Sequence, residues 1–249
     1  MRSPAAAVAV LLWAAAGAGA QGTEPEEPIQ ELFVGETAFV QARREVQLTT
    51  GFDGRKNAGE KTWTAAQIVQ YGVTDWLELD AKLPFVSGPE STALRHAGFG
   101  DVEVGLLVGL ARHIRAGALS VGARVRLPTG NEAKGHGEGE TVPEPVLIYG
   151  KAFGKVQLHA SAEVGFANKR TPKEWTYGAG LVLPSGRWRE TLELDARHEG
   201  DESRLLLTPG LYLKPRHAFE IGIGIPIGLT QRSPDVGTVI LATLELDGR

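Results

Sequence analysis

The chain has 249 residues and a formal net charge of -4, with acidic and basic residues interspersed, so it lacks the clustered basic patch of a nucleic-acid surface. It contains no cysteine, which excludes thiolate metal sites, disulfide frameworks and cysteine nucleophiles. Hydrophobic residues make up 42%, enough for a folded structure; a secreted chain of this size without disulfides needs another constraint, such as a closed hydrogen-bonded sheet.

Arg2, the apolar run 5–16 and the small-residue pattern Ala18-Gly19-Ala20 predict a secretory signal peptide over residues 1–20, with a mature start at Gln21. The run is too short to span a bilayer comfortably, and no later segment approaches ~20 consecutive apolar residues. Residues 22–28 are acidic and proline-rich and are expected to be mobile, within a periplasmic leader over 21–35, with the folded unit over 36–249.

From there the pattern has a period of two. Its clearest example is 75–85, Asp-Trp-Leu-Glu-Leu-Asp-Ala-Lys-Leu-Pro-Phe, where Leu77, Leu79, Ala81 and Leu83 alternate with Glu78, Asp80 and Lys82. The alternation predicts strands at 36–52, 63–73, 75–86, 100–111, 117–128, 142–153, 156–167, 175–183, 188–198, 203–213, 218–230 and 236–246. Most are longer than the usual soluble strand and match the ~9–11 residues that cross a bilayer at a tilt. Tight turns at 74, 112–116, 154–155, 184–187 and 214–217 alternate with longer connections at 53–62, 87–99, 129–141 and 168–174. That asymmetry is the signature of an outer-membrane barrel.

A soluble barrel would show the same alternation with its apolar face inward. Strand length, the expected signal peptide and the aromatics decide against it. Tyr71, Trp76, Phe153, Trp188, Tyr212 and Phe219 fall near the tight turns, and Trp63, Phe85, Phe99, Phe166 and Trp175 near the longer connections, as two interfacial girdles would. In 218–230, Phe219, Ile221, Ile223, Ile225 and Ile227 form the lipid face, while Glu220, Gly222, Gly224, Pro226 and Gly228 face inward. The expected fold is therefore all-β: an antiparallel transmembrane β-barrel of about 12 strands in a Gram-negative outer membrane.

Gly98-Phe99-Gly100-Asp101-Val102-Glu103-Val104-Gly105-Leu106 leads from a loop into a strand, and Arg124-Val125-Arg126-Leu127-Pro128-Thr129-Gly130-Asn131 ends one in Leu-Pro-Thr-Gly. With the glycine-rich loop that follows, these stretches resemble the bacterial outer-membrane transporter family associated with the meta-pathway of phenol degradation. The resemblance implies a β-barrel that admits hydrophobic or aromatic compounds, and it brings no catalytic residues.

On the barrel reading, Arg43, Glu78, Asp80, Lys82, Asp101, Glu103, Arg124 and Arg126 line a transport lumen, together with Glu45, Glu193, Asp195, Arg197 and Glu220. Lys82, Asp101, Glu103, Arg124 and Arg126 lie on consecutive strands at the end nearer the longer loops, and opposite charges there should pair. The function expected is porin-like passive transport of a small molecule, aromatic or hydrophobic if the resemblance holds. Membrane lipid and that solute are the partners; no nucleic acid, cofactor or metal is implied. Two alternatives compete. One is a barrel enzyme acting on lipid or peptide, with His159 and Ser161 on one strand face as base and nucleophile. The other is a plugged structural or adhesion barrel. The loop 129–141 carries His136 among carboxylates and four glycines and reads as a solvated, mobile connection rather than a metal site.

Overall fold

The computed structural model describes residues 29, 31–87, 97–166 and 174–246. The expected signal peptide and acidic stretch therefore lie outside the described residues. The strands run in chain order as β1 (Val46–Asn57), β2 (Glu60–Thr74), β3 (Leu77–Ser87), β4 (Gly98–Phe99), β5 (Val102–His113), β6 (Gly117–Leu127), β7 (Val142–Phe153), β8 (Val156–Gly165), β9 (Glu174–Ser185), β10 (Trp188–Glu199), β11 (Glu202–Arg216), β12 (Phe219–Gly224), β13 (Ile227–Gly228) and β14 (Val236–Leu246). β4 continues the path of β5 along β3, and β13 continues β12 along β11, so the fourteen segments make twelve staves. Each stave pairs antiparallel with the next, and β1 pairs with β14 from Val46↔Leu246 to Lys56↔Val236, which closes the barrel. Closure leaves no sheet edge and satisfies the ladder hydrogen bonds around the ring.

The two faces are sorted as a membrane barrel requires. Gln47, Thr49, Glu78, Ser120, Glu144, His159, Glu193, Thr208, Glu220 and Thr243 are buried on the inside. Leu79, Leu106, Leu147, Ile221, Ile223, Ile240 and Leu244 are exposed on the outside. Apolar outside and polar inside is the reverse of a soluble barrel. Outside, a ladder of rings crosses four segments near the longer loops: Phe52 with Trp63 (6.3 Å), Trp63 with Phe85 (5.9 Å) and Phe85 with Phe99 (5.3 Å). Trp76, Phe153 and Trp188 are exposed near the tight turns, so both girdles are present.

Three boundaries differ from the sequence expectation. The connection at 53–62 is a two-residue turn, because Ala58 (φ 50°) and Gly59 (φ 91°) both take the left-handed conformation that a tight hairpin turn demands. The strand expected at 218–230 breaks at Ile225-Pro226, where Pro226 has no N–H to give; its carbonyl accepts from Gly237 N (2.8 Å) and Ile225 N turns to Pro209 O (2.9 Å). The strand expected at 36–52 begins only at Val46.

The third difference has the largest consequence, because the described part of the expected periplasmic leader is inside the barrel. Ile29, Leu32 and Phe33 are buried against Val182, Tyr212, Val239 and Leu241. The segment climbs from there to the level of Glu193 and Arg124, then returns past Ala38, packed with Leu107, Ala118, Val146 and Ile148, to Ala42 beside Gly72. It is a loop inserted from the tight-turn end, and its apolar side chains explain why it is not solvated: in the lumen they escape water. Inward glycines make the room. A Cβ on Gly210 would overlap the Phe33 ring, and one on Gly224 would lie 2.8 Å from it.

Candidate functional site

Side chains of the barrel wall hold the inserted segment at several points along its course. The Glu193 carboxylate on β10 accepts from three successive backbone N–H groups, Phe33 (3.0 Å), Val34 (2.9 Å) and Gly35 (3.1 Å). Arg124 on β6 donates two bonds to the Glu36 carboxylate, at 2.7 and 3.0 Å. Burial acts to raise the pKa of Glu36, but the charge and hydrogen bonds of Arg124 outweigh it and hold the carboxyl below its ordinary value. On the return leg Gln41 N donates to Glu78 (2.7 Å), and Ser120 Oγ donates to Ala38 O (2.8 Å). The Phe33 ring stacks on Tyr212, with centroids 4.2 Å apart.

Above this segment, towards the longer loops, lies a cavity of about 580 Å³. Phe33, Val34 and Glu36 form part of its lining, and the rest is predominantly charged. Lys82 pairs with Glu103 across β3 and β5 (3.3 Å). Arg124 reaches Asp80 (3.4 Å) and Glu163 (3.6 Å) besides Glu36. Arg126 binds Glu138 and Glu144, Arg197 binds Glu174 (2.6 Å), and Arg55 binds Asp53. Lys82–Glu103, Arg126–Glu144 and Arg197–Glu174 join neighbouring staves, while Arg124 reaches across a stave on either side; the wall is dense in charge yet nearly balanced.

The residues expected to line the lumen separate into three groups. Lys82, Glu103, Arg124 and Arg126 are brought together on this wall, with Asp80 just below at Arg124. Glu103 faces Arg126 in the β5–β6 register as expected, although the guanidinium turns to Glu138 and Glu144. Glu78 and Asp101 point inward but serve other partners. Glu78 holds the inserted segment, whereas Asp101 accepts from Gly130 N (2.8 Å) and Glu138 N (2.7 Å). Asp101 thereby fixes the loop 129–141 against Gly98 and Gly100, where His136 is buried; the expected mobile connection is a folded one with a 3-10 turn at Glu132–Lys134. Arg43 is a correction. It is exposed in the turn before β1, with its N–H on Asp75, because the strand phase does not extend back beyond Val46.

Sequence reasoning did not single out Glu36, Glu144, Glu163 or Glu174. Glu144 shares its inward parity with Val142, Val146 and Ile148, so its strand carries little polar alternation to find it by. His159 is fully buried, its ring edge-to-face with Phe39 (5.8 Å), and neither ring nitrogen has a hydrogen-bond partner. Ser161 lines the cavity and makes no hydrogen bond with His159.

No family model matches this sequence, and no curated protein matches it. Among solved structures, an outer membrane channel from Pseudomonas putida F1 superposes with a TM-score of 0.66 at 14% identity, over 84% of this chain and 98% of that one. The KdgM porin superposes at 0.56 and 7% identity, over 82% of this chain and 99% of its own. At such identities the likeness is one of fold, and the fold is that of the bacterial outer-membrane barrels.

Proposed function

We propose that this protein is an outer-membrane channel for small polar solutes, held closed at rest by its own N-terminal segment. The observation that carries the reading is the arrangement along the barrel axis: an open, charged vestibule of about 580 Å³ whose floor is the inserted loop. An internally paired wall of both signs offers hydrogen-bond partners to a hydrated or zwitterionic solute without trapping a single ion, as passage requires. The channel and porin neighbours support transport as the role of such a barrel. The aromatic or hydrophobic solute implied by the family resemblance finds few partners here, since the apolar lining is limited to Phe33, Val34, Val146, Leu206 and Pro234.

Permanent closure, as in a structural barrel, is the competing reading, and one assay separates the two. Swelling of liposomes carrying the full chain is followed with small sugars and zwitterionic amino acids outside, beside a variant lacking residues 29–40. Flux in the full chain that rises several-fold in the variant fits a displaceable floor. A folded variant that passes nothing refutes the channel.

A further inference from the structure

The two ends of the barrel differ in charge, and the difference identifies an interaction surface. At the tight-turn rim the chain places Arg43, Arg44, Arg112, Lys155, Arg187 and Arg216, all exposed. Among the described residues the carboxylates at this rim are fewer than the basic groups: Asp75 accepts from Arg43 N, Glu45 accepts from Ala42 N, Glu245 lies 3.9 Å from Lys214, and Glu190 is exposed beside Trp188. Among the described residues, Arg43, Arg44, Lys155, Arg187 and Arg216 have no carboxylate within ion-pair distance. The opposite rim is mixed in sign, with Glu60, Glu132, Asp201 and Glu202 among Lys56, Lys61 and Lys134.

The height of the basic collar is set by the girdle beside it. Trp76, Phe153 and Trp188 are exposed on the outer face and mark the boundary between hydrocarbon and headgroups. Arg187 adjoins Trp188, Lys155 lies two residues past Phe153, and Lys151 on the same face rests over the Phe153 ring at 5.6 Å. The collar therefore sits at the level of lipid phosphates. Like charges gathered around one rim repel one another, and an anion between them relieves the repulsion.

We propose that this collar binds the headgroups of anionic phospholipids in the leaflet at the tight-turn face, recruiting a shell of them around the barrel. Each basic residue near an anionic surface favours it about fivefold in partition, from about 1 kcal/mol. The chain's own Glu24, Glu26 and Glu27 offer the same charge, so the experiment includes them.

The exported, folded protein, with Trp63 and Trp175 changed to phenylalanine, reports from Trp76 and Trp188 at this rim. It is reconstituted in mixed bilayers in which either phosphatidylglycerol or phosphatidylcholine carries bromine near the headgroup. Quenching should show phosphatidylglycerol enriched several-fold over its bulk share. The enrichment should vanish in 1 M salt, where the screening length falls to about 3 Å, and in an R112Q/R187Q/R216Q variant that still migrates anomalously without heating. The salt arm needs no substitution in the collar. Equal quenching by both lipids, or enrichment that survives salt or the triple variant, overturns the proposal. So does enrichment that appears only after Glu24, Glu26 and Glu27 become glutamine, which would make the acidic stretch the occupant.

Discussion

Replacing Glu193 by alanine removes the carboxylate that caps the top of the inserted loop. Three N–H groups, from Phe33, Val34 and Gly35, lose their acceptor together. A hydrogen bond to a charged group contributes about 1.5–3 kcal/mol. The three share one carboxylate and water can replace part of them once the loop lifts, so the docked state should lose about 3 kcal/mol. At 1.4 kcal/mol per factor of ten, the ratio of open to closed channels should rise about a hundredfold. The Phe33–Tyr212 stack and the Glu36–Arg124 pair remain, so the variant should flicker rather than stay open. Single-channel recording in a planar bilayer measures the open fraction directly. The barrel wall should be unaffected, since the ladder bonds of β10 to β9 and β11 do not involve this side chain. An open fraction unchanged by the substitution would refute the view that these bonds hold the floor in place.

Ile223 is 47% exposed on the outer face, and Ile223→Arg should destabilise the barrel by about 2–4 kcal/mol in urea titrations from lipid vesicles; a neutral result would mean the face does not meet hydrocarbon. Arg126→Glu reverses a charge on the vestibule wall without touching the inserted segment, and should shift the reversal potential in a salt gradient towards cation selectivity. An unchanged potential in a conducting variant would take Arg126 off the path. Asp101→Ala removes the acceptor for Gly130 N and Glu138 N, and trypsin should then cut the loop at Lys134 at least several-fold faster; an unaltered rate would show that other contacts fix the loop.

The barrel was legible in the sequence because strand phase is local information. Ile221, Ile223, Ile225 and Ile227 alternate with glycine, glutamate and proline, and the structure keeps that phase through the break at Pro226. Neighbouring staves and tight turns also fix register, so Lys82, Glu103 and Arg126 meet across β3, β5 and β6. The inserted loop was not legible, because it has no period of its own. Its place depends on a fit between Phe33 and the space left by Gly210 and Gly224, nearly two hundred residues away. Two signals did exist. Ile29, Leu32 and Phe33 are too apolar for a solvated leader, and glycines recur on the inward face where something must approach closely. Asp101 shows the complementary limit: its inward parity was readable, but its partners are backbone N–H groups of a loop whose course no periodicity specifies.

Pinning the floor to the wall tests the central claim most directly. A Cβ built on Gly150 of β7 lies 3.3 Å from Cβ of Ala38, close to disulfide geometry, and the chain has no other cysteine to confuse the pairing. In A38C/G150C, planar-bilayer conductance should be abolished when the pair is oxidised and restored to the wild-type pattern by reductant. Equal conductance in the two states, with the disulfide verified by mass, would contradict an N-terminal segment that opens the barrel by leaving its seat.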